Sequence, residues 1–248
     1  MDQIDEPSKI LLSVEGIRSL YEYAMAWALN MPLRYISPKG DGHPVLTIPG
    51  LGAADGSTHY LRGFLDDMGY EAFPWGQGRN LGPRRGMDDM SKRLTDLVQS
   101  ISRDTGGQQV SLIGWSLGGI YAREIAKMCP EVVRQVITLG TPFKMNNGGT
   151  NADRFYEFLS KDKSHKNPTI LKQLETPPSV PFTSIYSKTD GVVHWKCSIE
   201  ESGEHIENVE IPGASHLGLG HNPIAMFVVA NRLSQTKDTW RPFNILGS

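Results

Sequence analysis

A serine flanked by glycines is the residue whose setting most clearly points to chemistry. Residues 114–118 read Gly-Trp-Ser-Leu-Gly; the apolar run at 110–113 before them predicts a buried strand, and residues 119–128 predict a helix. A strand that turns directly into a helix needs glycine beside the turn, because a side chain there would collide with neighbouring backbone. The turn would hold the Ser116 hydroxyl above the carboxyl edge of a sheet, beside a helix N-terminus that favours negative charge. Ser116 is therefore a candidate nucleophile.

A base and an acid that could activate this hydroxyl follow it along the chain. A serine is a poor nucleophile at neutral pH unless a base lies within hydrogen-bond reach and a third group orients that base. Asp190 follows a predicted strand, and His216 follows the last predicted strand. We therefore predict a triad in which Ser116 attacks, His216 acts as the base and Asp190 orients the imidazole.

His194 is the main alternative to His216 as the base. It follows Asp190 by only four residues, but two side chains on one short loop would point at each other without reaching Ser116. A supporting or substrate-facing role is the prediction for His194. Other candidates for base or acid lie in loops, in a polar insertion or in the closing helix: His43, His59, His165, His205, His221, Asp153 and Asp162.

Acyl chemistry at Ser116 would also need hydrogen-bond donors where negative charge develops on an oxyanion. The backbone N–H of Leu117, the residue after the nucleophile, is one candidate. The second should come from the loop after the first strand of the sheet, where Gly50-Leu51-Gly52 lets backbone approach a substrate. We predict that the N–H groups of Leu51 and Leu117 form this oxyanion hole.

Predicted strands and helices alternate along the chain. The strands cover residues 45–48, 70–75, 110–113, 132–139, 181–186 and 209–211, and the helices cover residues 10–30, 60–68, 88–102, 119–128 and 223–233. This alternation predicts an α/β fold with a doubly wound, mostly parallel sheet and helices on both faces. Right-handed crossovers then bring every loop from a strand to a helix to one edge of the sheet.

The first predicted helix has apolar residues at helical spacing, so we expect its apolar face to pack onto the domain. A helix on a membrane surface would need a basic polar face, whereas this one carries Glu15 and Glu22. The apolar residues are Ile10, Val14, Ile17, Leu20, Tyr21, Ala24, Trp27 and Ala28.

Residues 144–180 interrupt the alternation. This segment begins with polar residues and then predicts two short helices, at 153–159 and 169–174. Because it lies between two predicted strands, we interpret it as a small helical cap over the site, within a single domain of residues 1–248.

The apolar side chains of this cap have two interpretations. They line a substrate pocket, or they only fasten the insertion to the domain: Phe155, Phe158, Leu159, Ile170 and Leu174. For any one of them, fastening is the simpler account. The candidate substrate contacts are Phe155 and Phe158 of the cap, Phe143 in the loop before it, and His194.

Composition and charge exclude several classes of function. The 248 residues carry a formal net charge of −2, which gives no basic footprint for a nucleic acid. No apolar run reaches the length of a membrane span, and the acidic N-terminus does not resemble a secretory signal. We expect a cytoplasmic protein, although the sequence leaves open a signal that was removed. The two cysteines, Cys129 and Cys197, have no metal-ligand spacing to the histidines, so we expect neither a metal nor a cofactor.

Five short motifs together resemble the α/β-hydrolase superfamily, in particular its bacterial esterases and lipase-like members. They are Pro49-Gly50-Leu51-Gly52, Gly114-Trp115-Ser116-Leu117-Gly118-Gly119, Leu139-Gly140-Thr141-Pro142, Asp190-Gly191-Val192-Val193 and His216-Leu217. The resemblance covers about residues 45–233 and implies the α/β-hydrolase fold, a cofactor-free hydrolase and the roles given above to Ser116, Asp190 and His216. Many members have His-Gly in the first motif, where this chain has Pro-Gly. A serine nucleophile separates the chain from the haloalkane dehalogenase and epoxide hydrolase branches, which attack with a carboxylate.

These patterns favour a serine hydrolase that acts on small-molecule carboxylic esters through an acyl-enzyme, with short or medium acyl groups expected. Acyl transfer to an alcohol or amine acceptor is the alternative with the same first half-reaction. A third hypothesis is a non-catalytic hydrolase-like domain that binds a ligand or a protein. It fits less well, because a binding domain has no need of all three triad residue types.

Overall fold

One parallel sheet forms the centre of the molecule; the computed structural model describes residues 6–83, 86–144 and 168–244. Its strands are β1 Pro44–Ile48, β2 Glu71–Pro74, β3 Val110–Trp115, β4 Val133–Leu139, β5 Phe182–Tyr186 and β6 Ile206–Glu210. They lie in the order β2-β1-β3-β4-β5-β6, and every pair of neighbouring strands is parallel. The loops after the strands therefore meet at one edge of the sheet.

Helices cover both faces of this sheet. In the described part of the chain they are α1 Lys9–Ala28, α2 Asn30–Ile36, α3 His59–Met68, α4 Met87–Asp104, α5 Leu117–Met128, α6 Pro168–Glu175 and α7 Pro223–Leu233. Apolar side chains of α3 and α7 pack on one face, and those of α4 and α5 pack on the other. The predicted doubly wound α/β fold is confirmed. None of the described helices is both long and apolar enough to cross a membrane.

The burial of each strand follows its place in the sheet. Every residue of the inner strands β1 and β3 is buried, as their mainly apolar sequences predict. The edge strand β6 is only partly buried and begins at Ile206, three residues before the predicted start at 209. Its polar residues Glu207 and Asn208 interrupt the apolar pattern, because an edge strand exposes one side to water.

The first helix packs with the opposite orientation to the one predicted. The buried side chains of α1 are Glu15, Glu22 and Ala26. The predicted apolar face points outward instead, with at least 66% exposure for each of Ile10, Ile17, Leu20, Tyr21 and Trp27. The two carboxylates turn inward because they accept hydrogen bonds from backbone N–H groups of two loops. Buried N–H groups without acceptors would carry a large desolvation penalty, which apolar side chains could not relieve.

Only the last part of the predicted cap lies within the described residues. Carbonyl groups of three consecutive residues at the C-terminal end of α6 accept hydrogen bonds from Arg123 on α5. Arg123 is fully buried and forms an ion pair of 2.8 Å with Glu200. The Leu174 side chain packs into the core beside α5, which fits a fastening role. The predicted helix at 153–159 lies outside the described residues, and the cap stays a prediction.

The orientation of α1 can be tested by the stability of two matched truncations. We expect Ile17→Ala, on the exposed face, to change the free energy of unfolding by less than about 0.5 kcal/mol. Leu65→Ala, at a fully buried position of α3, should cost about 2–5 kcal/mol. Urea unfolding followed by circular dichroism measures both. A cost for Ile17→Ala as large as that for Leu65→Ala would contradict the orientation described here.

Candidate active site

Ser116 lies at a sharp turn between β3 and α5. Its φ of 53° falls in the left-handed region, which a residue with a side chain rarely adopts. Neighbouring glycines make the turn possible: a Cβ at Gly114 would overlap the backbone of Gly118 and Gly119, and one at Gly118 would overlap the carbonyl of Ile48. The turn therefore has the strained geometry that the sequence predicts for a serine held above the sheet edge.

Asp190 and His216 form a buried hydrogen-bonded pair at the same edge of the sheet. The Asp190 Oδ2 lies 2.6 Å from the His216 Nδ1, and both residues are 4% exposed. The other oxygen of Asp190 accepts hydrogen bonds from the backbone N–H groups of Val192 (2.8 Å) and Val193 (2.7 Å). Because these donors fix the carboxylate, its remaining oxygen can hold the imidazole in one tautomer.

The surroundings of His216 favour its charged form. Burial alone lowers the pKa of an imidazole, but the charge of Asp190, its hydrogen bond and the charge of Glu15 together raise the pKa of His216 above its ordinary value. A histidine in this setting accepts a proton more readily than one in water. The pair thus has the electrostatics of a general base.

A hydrogen bond links the loop of His216 to the residue before Ser116. The indole Nε1 of Trp115, the residue before Ser116, donates to the backbone carbonyl of His216 at 3.1 Å. Gly140 after β4 leaves space for the pair, since a Cβ there would lie 3.0 Å from the His216 Nδ1 and 3.2 Å from the Asp190 Oδ2. Ser116 and the Asp190–His216 pair, far apart in sequence, thus lie at the same edge of the sheet, and their action as a triad stays a prediction.

The loop after β1 lies directly against the nucleophile. A Cβ at Gly50 would lie 3.2 Å from the Ser116 Cβ, so glycine permits this close approach. Asn80, fully buried, holds the loop: its side-chain amide donates to the Pro49 carbonyl at 2.8 Å, and its backbone forms two further hydrogen bonds of 2.7 Å to the loop. Asn80 therefore holds this loop through both its side chain and its backbone.

The two N–H groups predicted to form the oxyanion hole belong to this loop and to the start of α5. Within residues 6–83, 86–144 and 168–244, neither the Leu51 N–H nor the Leu117 N–H donates to a protein acceptor. Leu117 is the first residue of α5, where the N–H groups and the helix dipole favour an anion. Their role as oxyanion donors stays a prediction.

The predicted substrate contacts differ in where they lie. Phe143 is 1% exposed, its ring packs edge-on against Phe182, and the Arg123 guanidinium stacks over it at 3.9 Å. It is thus a core residue, and contact with a substrate stays a prediction. The His194 imidazole accepts from the Lys196 N–H at 3.3 Å and stacks on Trp195, which gives it a structural role in its own loop. Of the predicted cap contacts, Phe155 and Phe158 both lie outside the described residues.

A second serine, histidine and aspartate lie together at the opposite edge of the sheet. The Ser111 Oγ is 2.7 Å from the His43 Nε2, and the His43 Nδ1 is 2.5 Å from Asp41. Ser111 lies within β3, near its start, and is fully buried, and burial lowers the pKa of His43. Ser111 has neither the strained turn nor the adjacent helix N-terminus that Ser116 has. Among the described residues, no group of three or more His, Cys, Asp or Glu could hold a metal ion.

Sequence reasoning missed the residues that support the site from behind. Asn80 lies in a loop rich in glycine, and nothing in the sequence distinguishes it there from the exposed Arg79 beside it. Glu15 and Glu22 were interpreted only as charges unsuited to a membrane surface. The signal that could have found them is their spacing with Arg18, which puts all three on one face of a helix.

Comparison with known proteins agrees with this geometry. Residues 43–200, more than half of the chain, match the hydrolase family described as serine aminopeptidase, S33. A triacylglycerol lipase of Pseudomonas fragi is 34% identical over 118 residues, which cover 45% of this chain and 38% of the lipase. A triacylglycerol lipase of Pseudarthrobacter phenanthrenivorans is 28% identical over 138 residues, or 52% of this chain and 41% of that protein. The chain thus spans about two fifths of the length of these relatives.

Solved structures share the fold at low sequence identity. Lipase B of Aspergillus fumigatus aligns with a TM-score of 0.58 and 19% identity, over 79% of this chain and 53% of that one. An α/β superfamily hydrolase of Oenococcus oeni aligns with a TM-score of 0.57 and 17% identity, over 79% and 94% of the two chains. With the family match over residues 43–200, the chain belongs to the serine aminopeptidase S33 family of α/β-hydrolases.

Proposed function

We propose that this protein is a carboxylic-ester hydrolase that uses Ser116, His216 and Asp190 as a catalytic triad. The observation that carries the proposal is the buried Asp190–His216 pair, which lies at the same carboxyl edge of the sheet as a serine in a strained turn. The lipases among the relatives support an ester as the substrate. The family description names a peptidase, so an amide substrate is the competing possibility that the experiments must separate.

In the first half-reaction, the Ser116 Oγ attacks the carbonyl carbon of the ester while its proton passes to the Nε2 of His216. The tetrahedral intermediate collapses, the bond to the alcohol oxygen breaks, and His216 returns the proton to the leaving alkoxide. In the second half-reaction, a water loses its proton to His216 and attacks the acyl carbon. The second tetrahedral intermediate collapses, the bond between the acyl carbon and the Ser116 Oγ breaks, and His216 returns its proton to that oxygen as the carboxylic acid leaves. Throughout, Asp190 stabilises the imidazolium without taking its proton.

The developing oxyanion would be stabilised by the N–H groups of Leu51 and Leu117. Loss of one such donor typically costs about 10²–10³ in rate, so their placement matters as much as the triad. The Leu117 donor is fixed by the start of α5. The Leu51 donor depends on the loop that Asn80 holds, which makes Asn80 a positioning residue for this hole.

The two serine constellations give a matched test of the nucleophile. Ser116→Ala should abolish hydrolysis of p-nitrophenyl butyrate and covalent labelling by a fluorophosphonate probe. Ser111→Ala should keep both, at some cost in stability, because it leaves buried His43 with one hydrogen bond fewer. Intact-mass spectrometry after labelling, and hydrolysis rates for the ester and for aminoacyl p-nitroanilides, measure the outcome. Labelling that survives in Ser116→Ala would reject the proposal.

The pH dependence of the reaction follows from the raised pKa of His216. The base must be neutral to accept the serine proton, so activity falls as pH drops through the pKa of His216. Because that pKa is raised above the ordinary value of 6.5, the acid limb of kcat/KM should have its midpoint above pH 6.5. A rate profile from pH 5 to 9 measures this limb. A midpoint below 6.5 would contradict the described environment of the imidazole.

Removal of the Asn80 side chain tests the support of the oxyanion loop. Asn80→Ala takes away the donor to the Pro49 carbonyl and the acceptor for the Gly82 N–H. We expect a fall in kcat of about tenfold, less than the loss of a direct oxyanion donor, with little change in KM. Gln77→Ala, at an exposed position in the same loop, is the control and should match the parent. Equal kcat values for the two variants would contradict this role.

A further inference from the structure

One carboxylate of α1 bridges the two loops that carry the proposed acid and base. The Glu15 Oε1 accepts a hydrogen bond of 2.8 Å from the Gly191 N–H, and its Oε2 accepts one of 3.0 Å from the Leu217 N–H. Gly191 directly follows Asp190, and Leu217 directly follows His216. The Glu15 side chain is only 4% exposed, so water does not compete for these bonds.

Arg18, one turn further along α1, joins the same two loops through their carbonyl groups. Its guanidinium donates to the Thr189 carbonyl at 2.8 Å in the acid loop, and to the carbonyls of Gly213 (2.9 Å) and Ala214 (2.8 Å) in the base loop. It also forms an ion pair with Glu15 at 3.6 Å. One face of α1 thus contacts backbone donors and acceptors on both loops.

Glu22 continues this contact along the base loop. Its carboxylate accepts from the Ser215 N–H at 3.1 Å, from the Ser215 hydroxyl, and from the Asn222 side chain at 2.9 Å. Both loops have glycine where they meet α1. A Cβ at Gly191 would lie 2.5 Å from the backbone of Leu11, and one at Gly218 would overlap the Glu22 carboxylate. The close approach of α1 is therefore built into both loops.

We infer that Glu15 is a positioning residue that holds Asp190 and His216 at their working separation by binding the backbone next to each. The inference rests on the proposed function, because it concerns the same triad. Fastening a helix needs only apolar contact, as Ala26 of α1 provides. A buried carboxylate carries a desolvation penalty, which is offset here by two backbone N–H groups from separate loops. Its two oxygens set the distance between those loops, which a contact with either loop alone would not do.

The charge of Glu15 adds a second, separable effect on the base. In the described part of the chain, the charged groups on this side of His216 are Asp190 on the acid loop and, from α1, Glu15, Glu22 and Arg18. Glu15 is among the groups that raise the pKa of His216. Removal of its charge should lower that pKa and move the acid limb of kcat/KM to lower pH. Position and charge can thus be tested by different substitutions.

Two substitutions at Glu15 separate these effects. Glu15→Gln keeps the size but loses the charge and one acceptor, and should lower kcat by about 10- to 100-fold, with KM within about twofold and the acid limb at lower pH. Glu15→Asp keeps the charge but is one methylene shorter, so it should lower kcat similarly while the acid limb stays near that of the parent. The control is Glu207→Gln, which removes a largely buried carboxylate bonded to Arg232 and the Phe243 N–H near the opposite edge of the sheet. It should leave kcat and the pH profile unchanged.

A readout independent of activity keeps this inference distinct from the proposed function. Hydrogen exchange by NMR should show protected Gly191 and Leu217 amides in the parent and faster exchange of both in Glu15→Gln, with global stability measured alongside. If the parent hydrolyses no ester and takes no fluorophosphonate, the proposed function fails, and the exchange result alone decides whether Glu15 holds the loops. Unchanged kcat and unchanged exchange in Glu15→Gln would overturn the inference. So would losses that track only the fall in thermal stability, as judged against Glu207→Gln.

Discussion

The hydrogen bond between the Asp190 carboxylate and the His216 imidazole is the interaction on which the rest of the site depends. Both groups are almost fully buried, where an unpaired charge would be costly. The pair persists because the carboxylate also accepts two backbone N–H groups from its own loop. Gly140 leaves room for the pair, and the indole of Trp115 donates a hydrogen bond to the backbone carbonyl of His216. Each of these features helps to hold the Asp190 carboxylate and the His216 imidazole at hydrogen-bonding distance.

Much of this arrangement could be predicted from the sequence, because its signals are local. The strand before Ser116 is mainly apolar, the turn is marked by glycines, and Asp190 and His216 each follow a strand. Topology does the rest, since parallel strands with right-handed crossovers bring such loops to one edge. The contrast with Ser111, His43 and Asp41 shows why position in the fold matters. Their side chains also meet, yet Ser111 lies within a strand at the opposite edge, where there is neither a strained turn nor a helix N-terminus.

What could not be predicted are the contacts between side chains and distant backbone. The orientation of α1 was inferred from its apolar spacing, and that inference was wrong because Glu15 and Glu22 find backbone N–H groups nearly two hundred residues away. The role of Asn80 could not be predicted for the same reason, since its side chain donates to the Pro49 carbonyl in another loop. A carboxylate that accepts a hydrogen bond from a backbone N–H group needs no particular residue type as its partner. Rules that pair side chains by their charges therefore cannot detect such a contact.

The contacts of α1 bear on which residues must stay together for the site to remain intact. The family match begins at residue 43 and ends at residue 200, so it includes Ser116 and Asp190 but neither α1 nor His216. A fragment excised at those limits would carry Ser116 and Asp190 without His216, and its Gly191 amide would have lost the Glu15 carboxylate. In this chain, the family match covers fewer residues than the set whose contacts hold the site together.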